Sequence, residues 1–124
     1  MTVKQPEDVY ESVKRYKAKK QEHFLVMTLD GAHQPIKTHV VSIGLVNRTI
    51  VHPREVFYRA IKDMAAAVLL VHNHPSGQVQ PSQEDRDITH RLIEAGELLG
   101  IPVLDHLIIS AKSFYSFTEH GELR

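Results

Sequence analysis

Two histidines stand two residues apart, His72 and His74, and a carboxylate, Asp85, follows eleven positions after the second. In an extended segment, side chains two apart point the same way, so both imidazoles can converge on one ion. Asp85 lies at the start of a predicted helix and can add an oxygen. Two histidines and one carboxylate with water in the fourth position form a catalytic zinc arrangement. Such an ion lowers the pKa of bound water to about 7 and polarises a substrate carbonyl. A plainer reading stands beside this one. An H-x-H pair is a weak signal alone, and Ser82-x-x-Asp85 also reads as a helix capping box with Asp in place of the usual Glu or Gln. Capping accounts for Ser82 without a metal. It does not account for two histidines meeting at a strand end beside a Pro-Gly loop.

The elements that must position these residues follow from hydrophobic periodicity. The stretch from Pro6 to Lys20 places Val9, Val13 and Tyr16 at helical spacing. Pro6 suits a first turn, and Glu7 and Asp8 suit the positive end of the dipole. Phe24 to Leu29 reads as a strand, Asp30-Gly31 as a hairpin turn, and Ile36 to Ile43 as its partner. A short strand is expected over 49–51. Pro53 opens a helix whose Val56, Phe57, Ala60, Ile61 and Met64 share a face. Ala66 to Val71 is an apolar run of strand length, expected to be buried on both sides. His72 to Pro81 reads as a loop. Ser82 starts a third helix with Ile88, Leu92, Ala95 and Leu99 on one face, ended by Gly100 and Pro102. Val103 to Ile109 and Phe114 to Phe117 are the last strands. Early hairpins within an alternating pattern predict an α/β sandwich of a mixed, mainly antiparallel sheet with flanking helices.

Composition narrows the function classes. With 124 residues, a single domain over 1–124 is expected. No apolar run approaches the roughly 20 residues of a membrane span. The start MTVKQPEDVY has no apolar core of a secretory signal. The chain has no cysteine, which excludes disulfides and thiolate metal sites and accords with a cytoplasmic protein. A formal net charge of zero gives no global pull towards nucleic acid or acidic membranes. The basic run Lys14, Arg15, Lys17, Lys19 and Lys20 reads as a solvated helix face rather than a phosphate grip.

H-N-H-P-S-G followed by P-S-x-x-D resembles the RadC-type proteins, a bacterial branch of the JAB/MPN (JAMM) metalloprotease superfamily. His72, His74, Pro75, Ser82 and Asp85 stand at that family's spacing. V-H-P-R-E-V-F and L-L-G-I-P-V-L-D-H-L-I-I extend the resemblance over nearly the whole chain. It implies a JAB/MPN-like, cytidine-deaminase-like sandwich and one Zn2+ per chain on His72, His74 and Asp85. It also implies hydrolysis of a peptide or isopeptide bond in a peptide or protein substrate. Ser82 would hydrogen-bond the water or stabilise the oxyanion. Longer relatives carry a helix-hairpin-helix-like segment ahead of this domain, which this sequence lacks, so DNA contacts are expected to be weak or absent. Two other functions compete: a DNA repair or recombination accessory, as the RadC name implies, and a non-catalytic interaction module. The intact His-His-Asp set argues against the last.

The general base lies between Glu22 and Glu55. Glu55 sits in the first turn of the helix opened by Pro53, where the dipole and free N–H groups favour any carboxylate. Glu22 has no such local reason. It stands at the junction of first helix and first strand, where the superfamily places its base glutamate, so Glu22 is the expected base and Glu55 the alternative. Gly77 is expected to permit a backbone conformation that a Cβ would forbid. His106, within Asp105-His106, is expected to be a buried, hydrogen-bonded histidine rather than a ligand. Ser42 and Gly44 are expected to line the substrate groove. His23, His33, His39, His52, His90 and His120 read as surface or capping residues.

Overall fold

Alternating burial builds the molecule. In a computed structural model that describes residues 1–44 and 51–123, five strands form one sheet. They are β1 (His23–Leu29), β2 (Pro35–Ile43), β3 (Ala67–Asn73), β4 (Val103–Ile109) and β5 (Phe114–Ser116), in the order β2-β1-β3-β4-β5. Only β3 and β4 run parallel; every other neighbouring pair is antiparallel. The helices are α1 (Pro6–Ser12), α2 (Pro53–Lys62) and α3 (Gln83–Leu99). The architecture is therefore α/β with a mixed, mainly antiparallel sheet, as expected. Of the strand expected over 49–51, residues 49 and 50 fall outside the described residues, and Val51 is a buried bend rather than a strand residue. No helix among the described residues is long and apolar enough to cross a membrane.

The period of two divides the core. Phe24, Val26, Val68 and Leu70 face Val56, Phe57 and Ala60 of α2 and Ile88 and Leu92 of α3. Leu25, Met27, Leu29, Leu69 and Val71 face the other way, onto Val9 and Val13. Burying each such side chain contributes about 1.5–3 kcal/mol. The even-numbered row of β3 continues from Val68 and Leu70 to His72, which delivers that histidine to the α3 face. His106 of β4 arrives on the same face, because it pairs with Leu70 in the parallel ladder.

Several boundaries differ from expectation. The helix expected to reach Lys20 stops at Ser12. Val13 leaves helical geometry at φ −113°, and a 3₁₀ turn over Lys14–Tyr16 follows. β3 continues through Asn73, so His72 is a strand residue rather than the start of the loop. The β1–β2 connection is longer than a tight turn; the Asp30 carboxylate organises it by accepting from the Ala32 and Gln34 N–H groups at 2.9 Å each. Ile61 and Met64 of the expected α2 face are 53% and 86% exposed. Met64 lies beyond the helix end with φ 55°, which takes it out of the helical period. Leu99, at the last residue of α3, is likewise exposed rather than buried.

Candidate metal centre

The parallel β3–α3–β4 unit sets up the centre. Ligand sites in such units lie beyond the carboxyl ends of the strands. There β3 ends in His72 and Asn73, and α3 begins. Ser82 is the N-cap: its Oγ accepts the Asp85 N–H at 3.1 Å, and Asp85 Oδ2 accepts the Ser82 N–H at 2.8 Å. This reciprocal box is the plainer reading of Ser82, and it also holds the Asp85 side chain in place. Gly77 takes φ +89° in the intervening loop, a conformation costly for other residues.

Three ligand atoms converge. His72 Nε2 and His74 Nε2 are 2.9 Å apart. Asp85 Oδ1 lies 3.2 Å from His72 Nε2, and Asp85 Oδ2 lies 3.2 Å from His74 Nε2. The set of one donor atom from each residue fits within 4.8 Å. His72 is fully buried and Asp85 nearly so. The His74 ring is oriented by its Nδ1–H, which donates to the Gln78 carbonyl at 2.7 Å and turns Nε2 inward. His72 Nδ1 lies 2.9 Å from Nε2 of the buried His106. Two imidazole nitrogens and a carboxylate so close together repel unless a cation or proton stands among them. The donor set, N, N and O, suits zinc.

The electrostatics agree. Burial pushes the Asp85 carboxyl up, but His72, His74 and the Ser82 N–H outweigh it and hold it far below the usual carboxylate range. Burial pulls His74 down, while Asp85, the Gln78 carbonyl and the charge of Glu22 raise it on balance. Burial, then the neighbouring His72, keeps His106 well below the ordinary histidine value.

An open pocket of about 510 Å³ meets this cluster, lined by Glu22, His74, Ser82, Glu84 and Asp85 among others. Glu22 reaches it through strand register. Phe24 pairs with His72, so continuing the antiparallel ladder by two residues brings Glu22 level with His74. Glu55 lies elsewhere, half-exposed on α2, with its carboxylate 3.6 Å from Arg54 Nε and 3.9 Å from Arg59 Nη1. Ser42 and Gly44 do not line the pocket. Ser42 instead shares the row of Phe24 and His72, and the Gly44 N–H donates to the Glu22 carbonyl at 2.8 Å. A second hollow, about 200 Å³, lies on the α1 face between Val3, Val9, Leu69 and Leu104. Its one buried carboxylate, Asp105, already accepts from the His106 and Thr118 N–H groups and the Ser116 hydroxyl.

Three residues of this region escaped the sequence reading. Asn73 clamps the approach to β1: its Oδ1 accepts the His23 N–H at 2.6 Å, and its Nδ2 donates to the Lys19 and Gln21 carbonyls. Glu84 borders the pocket beside Asp85. Thr89 lies one turn after Asp85 and its hydroxyl donates to the Asp85 carbonyl at 2.7 Å. The i+4 spacing of Thr89 from Asp85 was the one legible hint. His106 is buried as expected. His52 caps α2, its Nδ1 accepting the Arg54 N–H at 3.1 Å. His39, expected at the surface, is instead largely enclosed and bonded to Asp63 at 2.7 Å. The basic run is mostly exposed.

Comparison with known proteins adds the lineage. The family model described as RadC-like JAB domain matches residues 3–122. A UPF0758 protein of Geotalea uraniireducens is 50% identical over 117 residues, 94% of this chain and 51% of the relative. One of Pelobacter propionicus is 57% identical over 104 residues, 84% and 45%. One of Methanosarcina acetivorans is 47% identical over 120 residues, 96% and 52%. The chain spans about half the length of the curated relatives it matches.

Proposed function

The chain belongs to the RadC-like JAB domain family, and from that premise we propose that it is a zinc-dependent metallopeptidase that hydrolyses a peptide or isopeptide bond. One observation carries this reading: the His72, His74 and Asp85 donor set opens onto a pocket that a further carboxylate, Glu22, also lines. His72, His74 and Asp85 would hold the ion. When bound, zinc supplies Lewis acidity and makes a water nucleophilic near neutral pH. Glu22 takes the proton of the attacking water and returns it to the leaving nitrogen. Ser82 Oγ accepts the Asp85 N–H, which leaves its own O–H to donate towards the developing oxyanion. Glu55 is bound up with Arg54 and Arg59, and its role is structural. The partner is a peptide or protein, and with zero net charge duplex DNA would bind no better than roughly 10⁻⁴–10⁻⁶ M at physiological salt.

Metal analysis and turnover test the two halves separately. Protein purified without chelator should hold one zinc per chain, and the His72→Ala, His74→Ala double variant should hold none. Full zinc occupancy in that double variant would sink the assignment. Against a peptide library read by mass spectrometry, Glu22→Gln should keep zinc and lose cleavage, while Glu55→Gln should cleave normally. The reverse result would exchange the two glutamates.

A further inference from the structure

We infer that Thr89 and His106 are positioning residues that fix the proton of His72 on Nδ1 and so present its Nε2 lone pair to the metal. The inference rests on the metal-holding part of the reading above and not on the hydrolysis. The Thr89 hydroxyl has one hydrogen, and its partner at 2.7 Å is the Asp85 backbone carbonyl, which can only accept. That hydrogen is therefore spent. His106 Nδ1 lies 2.5 Å from the same oxygen, so Nδ1 must carry a hydrogen and donate it to Thr89. His106 is wholly enclosed, its ring nitrogens meet Thr89 and His72 rather than a carboxylate, and a neutral imidazole is the form such a site holds. A neutral ring protonated on Nδ1 has a bare Nε2. That atom lies 2.9 Å from His72 Nδ1, so His72 donates to it from Nδ1 and keeps Nε2 bare. Each step fixes the next, from a helix carbonyl to the ligand atom.

Packing keeps the relay in line. The His106 ring stacks on Phe117 with centroids 4.8 Å apart and planes 9° apart, and Phe24 covers His72 at 5.9 Å. Thr89, His72 and His106 are all fully buried, so no water competes for these bonds. The relay starts at the carbonyl of Asp85, itself a proposed ligand, and ends at His72. It thereby ties two ligands on different elements to one hydrogen-bond chain. Outer-shell partners of this kind typically change metal affinity by about 10–100-fold when removed.

The test uses the whole chain and zinc alone, with no substrate. Zinc affinity is measured by competition with a chromophoric chelator. Thr89→Val, nearly isosteric but without the hydroxyl, should bind zinc about 10–100-fold more weakly. Thr89→Ser restores the hydroxyl and should bind within a few-fold of wild type. Long-range ¹H–¹⁵N spectra of the zinc-loaded wild type should show His106 neutral, with its hydrogen on Nδ1. Thr89→Val binding as tightly as wild type overturns the inference, and so does a His106 protonated on Nε2 or on both nitrogens. If Thr89→Val fails to fold, the wild-type spectrum of His106 decides. A wild-type chain that takes up no zinc overturns the metal reading and this inference with it.

Discussion

Phe24 stands opposite His72 in the β1–β3 ladder, and the two rings stack at 5.9 Å with planes 19° apart. One pairing thus covers the buried His72 with an aromatic face and sets the register that carries Glu22 to the pocket. Phe24 is fully buried within the α2–α3 core. Phe24→Ala should therefore cost about 3–5 kcal/mol, measured by urea unfolding of the metal-free chain. Phe24→Leu keeps more of the volume and should cost clearly less. A loss under about 1 kcal/mol in the alanine variant would mean that the site collapses around the gap.

Asn73 is the counterpart on the far face of β3. It alternates with His72 and His74 and points at the segment leading into β1, where it joins the Lys19, Gln21 and His23 backbones. Asn73→Ala leaves those groups without their partner, at a cost of about 1–3 kcal/mol. Because Glu22 lies inside the clamped segment, the variant should also lose turnover while keeping zinc. Turnover equal to wild type in a folded, zinc-loaded Asn73→Ala chain would show that Glu22 needs no such tether.

The sequence made the local part of this site readable and hid the distant part. His72, His74, Ser82 and Asp85 lie within fourteen consecutive residues, so one motif contains them. The apolar runs at 24–29 and 66–71 announce β1 and most of β3, and α3 is announced by its cap and Gly100, which takes φ +73°. The Thr89–His106–His72 chain depends on the β3–β4 register, which no local pattern encodes. The end of α1 was equally hidden, since Lys14 to Lys20 contains no Gly or Pro to stop a helix. Ile61 and Leu99 misled for another reason: they flank an open apolar hollow between α2 and α3, so apolar spacing there does not mean burial.

Acid should find the Asp63 cluster. The hydrogen bond to His39, opposed by burial and aided by the Thr28 hydroxyl and the charges of His39 and Lys37, holds the Asp63 carboxyl below its ordinary value. A carboxylate depressed in the folded state stabilises the fold in its ionised form. Its contribution is present above the unfolded-state pKa of about 3.9 and is lost as pH falls through the folded value. The stability advantage of wild type over Asp63→Asn should therefore hold near neutrality and shrink as pH falls below the unfolded-state value of about 3.9. Urea unfolding across that range measures it, and a difference that does not change with pH would show that Asp63 acts only through its shape.

Gly96 sits in the interior of α3, where alanine would ordinarily gain up to about 1 kcal/mol of helix propensity. Here a Cβ would stand 2.5 Å from the Ile101 carbonyl oxygen and 3.2 Å from Phe57 Cζ. The carbonyl belongs to the chain leaving the helix, and the Ile101 N–H is itself bound to the Gly96 carbonyl at 2.9 Å, so it cannot move away cheaply. Gly96→Ala should destabilise by about 1–3 kcal/mol or more in thermal or urea unfolding. An unchanged or raised midpoint would show that the α3–β4 turn yields readily.

Ser82 carries two roles that substitutions can separate. As N-cap it satisfies the Asp85 N–H, and removing that bond in Ser82→Ala should cost about 1 kcal/mol. The Asp85 carboxylate would keep the Ser82 N–H, since that bond uses the backbone of residue 82. Zinc binding should therefore survive the alanine variant, weakened at most modestly. Ser82→Asp caps equally well but has no hydroxyl hydrogen and adds a charge beside the pocket; Ser82→Asn caps well and stays neutral. If Ser82 donates to the oxyanion, Asn should restore stability without restoring the full rate, because its amide extends from a longer side chain. The comparison is between unfolding midpoints and cleavage rates of the zinc-loaded Ala and Asn variants. Rates that recover in step with stability would reduce Ser82 to a cap and leave oxyanion stabilisation to other groups.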